Sequence, residues 1–375
     1  MHKPSVTPWE VTGQIEYTKL TKEFGTQLID DKLLQRIKKH TGELHHFLTR
    51  QIFFSHRDMN WLLDKYEQKE PFVLYTGRAP SGKVHLGHLV PWIFTKWLQE
   101  KFDAHLYFQF PDEEKFLFKE NLTLEDTEKL TYDNALDVIA LGFKPNTTTF
   151  LVDTKHANTM YIEAVNIAKR ITFSTAKAAF GFENETNIGA IFYTAMQAVP
   201  AILPSVIKGK NVPCLIPLGI DQDPHFRVAR DVYPKLGFYK PAMMHCRFLP
   251  PLTGMHEGKM SSSQEETAIF TTDSADTVKK KIHKYAFSGG QATVEEHRKK
   301  GGNPGINISY QWLTFLEEND ARLKKVYDNY SSGAMLTSEI KLILTDKINK
   351  FLKHHQEKRE KARDQVEKFF FKERG

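Results

Sequence analysis

Two short runs in this 375-residue chain carry residue types suited to handling phosphate. His85-Leu86-Gly87-His88 follows an apolar, strand-like run (Phe72, Val73, Leu74, Tyr75) and opens a helix-periodic stretch (Leu89, Trp92, Ile93, Trp97). A strand that ends at a helix N-terminus presents free N–H groups and the positive end of a dipole. His85 and His88 add side-chain donors there, and Gly87 lets a ligand lie close to the backbone. Far downstream, in a polar loop, Lys259-Met260-Ser261-Ser262-Ser263 offers a mobile ammonium and several hydroxyls. Donors arranged in this way stabilise the negative charge that builds on phosphates during transfer, usually the largest catalytic contribution in such reactions.

Rival readings overlap the first run. Gly77-Arg78-Ala79-Pro80-Ser81-Gly82-Lys83 fits GxxxxGK, but Val84 stands where a P-loop needs a magnesium-holding hydroxyl. His85 and His88 are spaced like a metal pair, yet no HExxH pattern supplies the acid. A serine-rich loop alone would be an ordinary solvated loop; its pairing with the histidine run gives it meaning.

The elements around these runs read as α/β. Residues 71–110 form a strand, a loop, a helix and a second strand (Leu106, Tyr107, Phe108), a βαβ unit that implies a parallel sheet. Gln109 and Glu114 follow that second strand. From about 112 to 208 the pattern is mostly helical, with helical signals over 122–141 and 188–207 and one strand near 147–152. Residues 212–217 read as another buried strand, ending at Asp221 and Gln222, and its loop is expected to face the histidine run. Before residue 70 lies a mixed region. There Ser55 and Asp58 have capping-box-like spacing ahead of Met59, Leu62, Leu63 and Tyr66. After about 270 the chain becomes helical. Its last helix is expected from about Leu336 toward Phe371, with Leu336, Ile340, Ile343, Ile348 and Phe351 on one face. Lys350, Lys353, Lys358, Arg359, Lys361 and Arg363 make up the other face, either a solvated surface or a nucleic-acid contact.

Composition sets outer bounds. Apolar content of 40% and charged content of 26% are ordinary for a globular chain, and a net charge of +6 is compatible with nucleic acid without requiring it. Cys214 and Cys246 form no CxxC pair, which argues against zinc ribbons and disulfide frameworks and for a reduced, cytoplasmic setting. No leader-like apolar run opens the chain and no stretch reaches membrane-spanning length.

The two runs together resemble the paired signatures of class I aminoacyl-tRNA synthetases. Further stretches sharpen this: "PWEV" (8–11), "HHFLTRQIFFSHRDMN" (45–60), "LYTGRAPSGKVHLGHLVP" (74–91), "IDQDPHFRVARDV" (220–232), "HKYAFSGG" (283–290) and "SSGAMLTSEIK" (331–341). Across nearly the whole chain they resemble tryptophanyl-tRNA synthetases of the eukaryotic and archaeal type. The resemblance implies a Rossmann-type parallel-sheet catalytic domain (71–270, with a helical insertion at about 112–208). It also implies an N-terminal extension (1–70) and an all-helical anticodon-binding domain (271–375). It implies a cytoplasmic homodimer using ATP, Mg2+, L-tryptophan and tRNA(Trp). By residue, Tyr75 and Gln109 match the pair that meets the indole N–H, and Glu114 and Gln222 match residues that hold the ammonium. Arg78, His85, Gly87, His88, Lys115, Lys259, Met260, Ser261 and Ser262 match ATP-binding positions, with His85, His88 and Lys259 catalytic.

The chain departs from the pattern in places. The segment from Arg78 to His85 is one residue shorter than in many relatives. Ala79 stands where they have glycine, and Thr253 where many have a glutamine. No appended helical domain is expected before the core. Tyrosyl-tRNA synthetases share the fold and the loop, but their pockets typically answer a phenol with an aspartate where this chain has Gln109. A nucleotidylyl transferase without tRNA is the alternative from a different class.

Overall fold

The computed structural model describes residues 5–6, 11–12, 15–254, 258–260 and 265–372. Its strands are β1 (Ser5–Val6), β2 (Val11–Thr12), β3 (Gln27–Leu28), β4 (Phe53–Arg57), β5 (Val73–Gly77), β6 (Leu106–Phe110), β7 (Thr148–Val152), β8 (Cys214–Gly219) and β9 (Ala242–Cys246). β1 and β2 pair with each other; the rest form a seven-stranded sheet in the order β3-β4-β9-β8-β5-β6-β7. The strands from β9 to β7 run parallel, while β3 and β4 add an antiparallel edge. Of the region before residue 70, β3 and β4 are thus woven into the same sheet as the strands that follow.

Helices cover both faces of the parallel strands, which explains near-continuous burial along β5, β8 and β9 in place of alternation. Successive side chains still point to opposite faces. Leu74, Leu106 and Phe108 enter one core with Trp92, Phe94, Trp312, Ile340 and Leu344, whereas Val73, Tyr75 and Ile216 enter another with Met160, Phe226 and Tyr233. The first core joins Phe47 near the N-terminus to helices after residue 300, so the helical C-terminal region shares its apolar interior with the sheet. From β5 the chain proceeds to β6 and β7 on one side, then returns to β8 and β9 on the other. That reversal opens a crevice beyond the C-terminal ends of β5 and β8, where α/β sheets bind ligands.

Three local expectations change. Ser55 does not cap a helix: it lies in β4, and its hydroxyl meets His245 Nδ1 at 3.0 Å. The helix Met59–Glu67 starts instead at Asp58, in the left-handed region at φ 53°, with the Met59 N–H donated to His56 Nδ1 at 3.3 Å. The last helix spans Thr337–Ala362 and stops short of Phe371. Beyond it the chain folds back on the open edge of β7, where Phe150 N–H donates to the Phe369 carbonyl (2.7 Å) and Phe371 N–H to the Phe150 carbonyl (2.9 Å). Pairing removes the unsatisfied groups of an edge strand. The buried row of that helix is Ile340, Leu344, Ile348 and Leu352, while Ile343 is exposed.

Arg359 does not belong to the exposed basic face. It is buried and its guanidinium pairs with Asp133 and, at 3.3 Å, with Asp137 on the helix Leu124–Ala140. His355 Nε2 meets the other Asp137 oxygen at 2.8 Å. Removing one partner leaves a buried carboxylate short of its cation. Arg359→Ala is therefore expected to lower the unfolding free energy in urea by about 3 kcal/mol. A change below about 1 kcal/mol would contradict this structural role.

Candidate functional site

The residues expected to handle phosphate gather at the end of β5. Gly77 closes that strand, and a Cβ there would sit 2.6 Å from the Gln109 carbonyl oxygen, so only glycine lets β5 and β6 run this close. Arg78 follows, buried, with its guanidinium turned to Asn134 and to the carbonyls of Gly82 (3.3 Å) and Lys83 (3.2 Å). Burial lowers its pKa to about 10. Arg78 lines the cavity, but most of its hydrogen bonding is spent on holding the 79–84 loop. That loop is no phosphate wrap of the GxxxxGK kind, because Lys83 is absent from the cavity wall.

The loop delivers the chain to the helix Leu86–Phe102, whose N-cap is His85. The His85 N–H donates to His88 Nδ1 at 3.1 Å, and the two rings stack with centroids 3.5 Å apart. Burial first, then the positive charge of Arg78, holds both imidazoles well below the usual histidine range. They are neutral at pH 7, and His88, accepting at Nδ1, carries its proton on Nε2. A Cβ on Gly87 would lie 2.8 Å from Met260 Cε and 3.1 Å from His85 Nδ1. The missing side chain thus seats the methionine of the second run against the first. Lys259 Nζ meets Asp221 Oδ2 at 2.7 Å. Lys259 and Met260, the described residues of the second run, thus lie in one cavity with the first, 171 positions after His88. Ser261 and Ser262 lie outside the described residues.

The other end of the crevice is built from β5, β6 and the helix Ile188–Met196. The Tyr75 hydroxyl is buried 2.5 Å from Gln109 Oε1 and 2.7 Å from the Gln197 carbonyl. Gln109 Nε2 lies 2.9 and 2.8 Å from the two oxygens of Asp153. Glu114 pairs with Lys115 through one oxygen and accepts from the Tyr193 hydroxyl through the other at 2.9 Å. Burial pushes the Tyr75 and Tyr193 phenols well above their usual pKa, so both remain protonated. Gln222 Nε2 lies 3.4 Å from Asp221 Oδ2. Ile216, Leu218 and Phe226 supply an apolar wall, with the Phe226 and Tyr75 rings edge to face at 5.6 Å.

One cavity of about 560 Å³ takes in both ends. It is lined by Tyr75, Arg78, His85, Gly87, His88, Gln109, Glu114, Lys115, Gln222, Lys259 and Met260, which are all the expected site residues within the described part. Asp221, noted in the sequence at the end of β8, also lines it, as do Tyr193 and Gln197, which were missed as site residues. The available signal was a tyrosine and a glutamine four apart in an otherwise apolar helical run. Among the described residues, no group of three or more His, Cys, Asp or Glu could hold a metal ion.

A buried chain of contacts braces the floor. Ser55, His245 and Asp223 are linked in the order of a Ser-His-Asp triad, but each is fully buried, so they serve structure. Arg57 pairs with Asp223 at 2.7 and 2.8 Å. Burial opposes the Asp223 charge, but Arg57 and His245 together outweigh it and hold its pKa at about 2. Nearby, burial lowers His225 to about 4 against the opposing pull of the Thr194 carbonyl. A histidine with a depressed folded pKa costs stability as pH falls from its unfolded value, near 6.5, toward 4, because only the unfolded chain takes up the proton. Between pH 7 and 5, His225→Gln should therefore lose about 2 kcal/mol less than the parent. Urea melts at the two pH values check this; equal losses would contradict it.

Comparison with known proteins agrees with this geometry. The family described as tRNA synthetases class I (W and Y) matches residues 67–353. The tryptophan–tRNA ligase of Sulfolobus acidocaldarius is 53% identical over 369 residues, covering 98% of this chain and 95% of that protein. The one from Pyrococcus furiosus is 50% identical over 366 residues, covering 97% and 94%, respectively. Among solved structures, the Plasmodium falciparum tryptophanyl-tRNA synthetase superposes with a TM-score of 0.90 at 42% identity, over 95% of this chain and 98% of that one. The Encephalitozoon cuniculi enzyme bound to tryptophan gives 0.87 at 34% identity, over 96% and 99%. A crevice with buried oxygen acceptors at one end and a lysine and helix N-terminus at the other fits this match, and the chain belongs to the class I tRNA synthetases, among the tryptophanyl-tRNA synthetases.

Proposed function

We propose that the cavity joins L-tryptophan to the AMP moiety of ATP and then passes the aminoacyl group to tRNA(Trp). The indole N–H meets the Tyr75 and Gln109 oxygens, and Phe226 and Ile216 bury the ring. Glu114 and Gln222 hold the ammonium. ATP lies along Arg78, His85, Gly87, His88 and Lys115, with Lys259, Met260, Ser261 and Ser262 over its phosphates. A tryptophan carboxylate oxygen attacks the α-phosphorus, a new O–P bond forms, and the bond to the bridging oxygen breaks with its electron pair leaving on pyrophosphate. His85, His88 and Lys259 stabilise the departing charge. A ribose hydroxyl at the tRNA end then displaces AMP from the carbonyl carbon. The cytoplasm is where charged tRNA is consumed. Mg2+ would be held through the ATP phosphates; among the described residues no group of three or more His, Cys, Asp or Glu could hold it.

The observation that carries this reading is one cavity with Tyr75, Gln109 and Glu114 at one end and Lys259 at the other. ATP–pyrophosphate exchange tests it, followed by charging of a tRNA(Trp) transcript. Exchange that requires tryptophan, and charging after it, is expected. Exchange without any amino acid would indicate a nucleotidylyl transferase.

The region 271–375 is proposed to grip the anticodon arm, 71–270 to do the chemistry and 1–70 to support it. Because the C-terminal helices share the core with Phe47 and Trp92, surface changes test this better than deletion. Lys358 and Arg363 are exposed on the last helix and just past its end. Neutralising both should reduce the slope of log affinity for tRNA against log salt by about 1.5. An unchanged slope returns this face to solvent. A second copy of the chain is the proposed cover for Tyr161, Ile162 and Val165, exposed apolar residues on the helix Ala157–Ala168 beside Phe192.

A further inference from the structure

We infer that Asp153 is a positioning residue that sets which edge of the Gln109 amide faces the ligand, and so makes the pocket demand an N–H donor. The inference rests on the reading of Tyr75 and Gln109 as the indole-facing pair. An amide side chain presents either an oxygen acceptor or an NH2 donor, and little in its own shape decides between them. Here the surroundings decide. Asp153 is buried at the end of β7, its backbone N–H donated to the Phe110 carbonyl at 3.2 Å. Both its oxygens lie within 2.9 Å of Gln109 Nε2. Turning the amide over would set Oε1 against that carboxyl and leave buried acceptors facing each other, a costly arrangement. The NH2 group is thus committed to Asp153, and Oε1 to the Tyr75 hydroxyl.

The consequence reaches the cavity through Tyr75. Its hydroxyl has two acceptors within reach, Gln109 Oε1 and the Gln197 carbonyl, and one proton to give. Whichever takes that proton, the edge presented to a ligand consists of oxygen lone pairs. An indole N–H satisfies them; a ring oxygen or sulfur in the same place does not. Asp153 itself is absent from the cavity wall, so it acts only through Gln109. Glu113 lies beside it, and burial first, then the neighbouring acids, raises both carboxyls. A proton held between those two acids leaves the Asp153 lone pairs toward Nε2 in place.

The test compares tryptophan with its benzofuran analogue, which has a ring oxygen in place of the N–H, by kcat/KM in pyrophosphate exchange. An amide at 153 can donate to Gln109 Oε1 and so permits the flip. Asp153→Asn is expected to lower the tryptophan-to-analogue ratio at least about tenfold, mainly through the KM for tryptophan. Loss of packing alone would weaken both ligands alike and leave the ratio unmoved. The double variant Asp153→Asn with Gln109→Glu restores a donor-to-acceptor match and returns an oxygen to the Tyr75 side; its ratio should recover most of the loss. If Asp153→Asn does not fold, Asp153→Ala decides: it removes the acceptor that holds the amide NH2, so a ratio at least about tenfold below the parent's supports the inference and a ratio near the parent's overturns it. Gln109→Ala separates the two levels. If it leaves the ratio unchanged, the indole-facing reading fails. If it collapses the ratio while Asp153→Asn does not, only the role of Asp153 fails.

Discussion

Lys259→Ala is expected to slow tryptophanyl-adenylate formation by about 2–4 kcal/mol in the transition state, roughly 30- to 1,000-fold. Lys259 lines the cavity, its ammonium 2.7 Å from Asp221, and is followed by Met260, whose methyl rests where a side chain on Gly87 would be. Negative charge grows on the leaving pyrophosphate only as the α-phosphorus is transferred. A cation that meets it then lowers kcat more than it changes tryptophan binding. The variant also removes the partner of Asp221, which is buried and lies beside Gln222, so a small rise in the KM for tryptophan is expected too. Single-turnover adenylate formation is the readout. A rate near that of the parent would take Lys259 out of the chemistry and leave its contact with Asp221 as a structural tie.

Gln109→Ala should weaken tryptophan activation by about 1–3 kcal/mol, the cost of leaving a buried hydrogen-bonding group unmatched. It should do so selectively. Asp153 would lose its amide partner and Tyr75 one of its two acceptors, while the ammonium site at Glu114 stays intact. Glu114→Gln is the complementary change: Glu114 is proposed to hold the α-ammonium, so this variant should weaken every α-amino acid ligand alike. Activation kinetics for tryptophan and for ring analogues distinguish the two. Uniform loss in Gln109→Ala, or ring-selective loss in Glu114→Gln, would reverse the roles given to them.

What could be read from the amino-acid sequence follows from how local each signal is. The strand before His85, the helix after it and the strand that carries Gln109 were legible because apolar periodicity is a property of neighbouring residues. Both halves of the proposed phosphate site were legible because histidine, glycine and lysine bring rare chemistry to short motifs. Asp153 was not: its meaning comes from Gln109, 44 positions away, and from burial. Tyr193 likewise gains its role from Glu114, 79 positions away. Arg359 looked like one more cation on a basic helix, and only packing against Asp133 and Asp137 turns it inward. Ser55 had the spacing of a cap but lies in a strand, because pairing with β9 outweighs a local side-chain bond.

The claim at the centre of this account is that buried acceptors on Tyr75 and Gln109 select an indole over a phenol. Tyrosine does not reach the far wall of the cavity and brings its hydroxyl to the wrong place, so the acceptors that read the ring N–H are left unmatched. The most direct measurement is ATP–pyrophosphate exchange by the unaltered protein over a concentration series of tryptophan and of tyrosine, compared as kcat/KM. The account predicts a preference for tryptophan on the order of 10⁴ or more, the range reached when a site's hydrogen-bonding groups are left unmatched by the wrong ligand. Activation of tyrosine as efficient as that of tryptophan would contradict it.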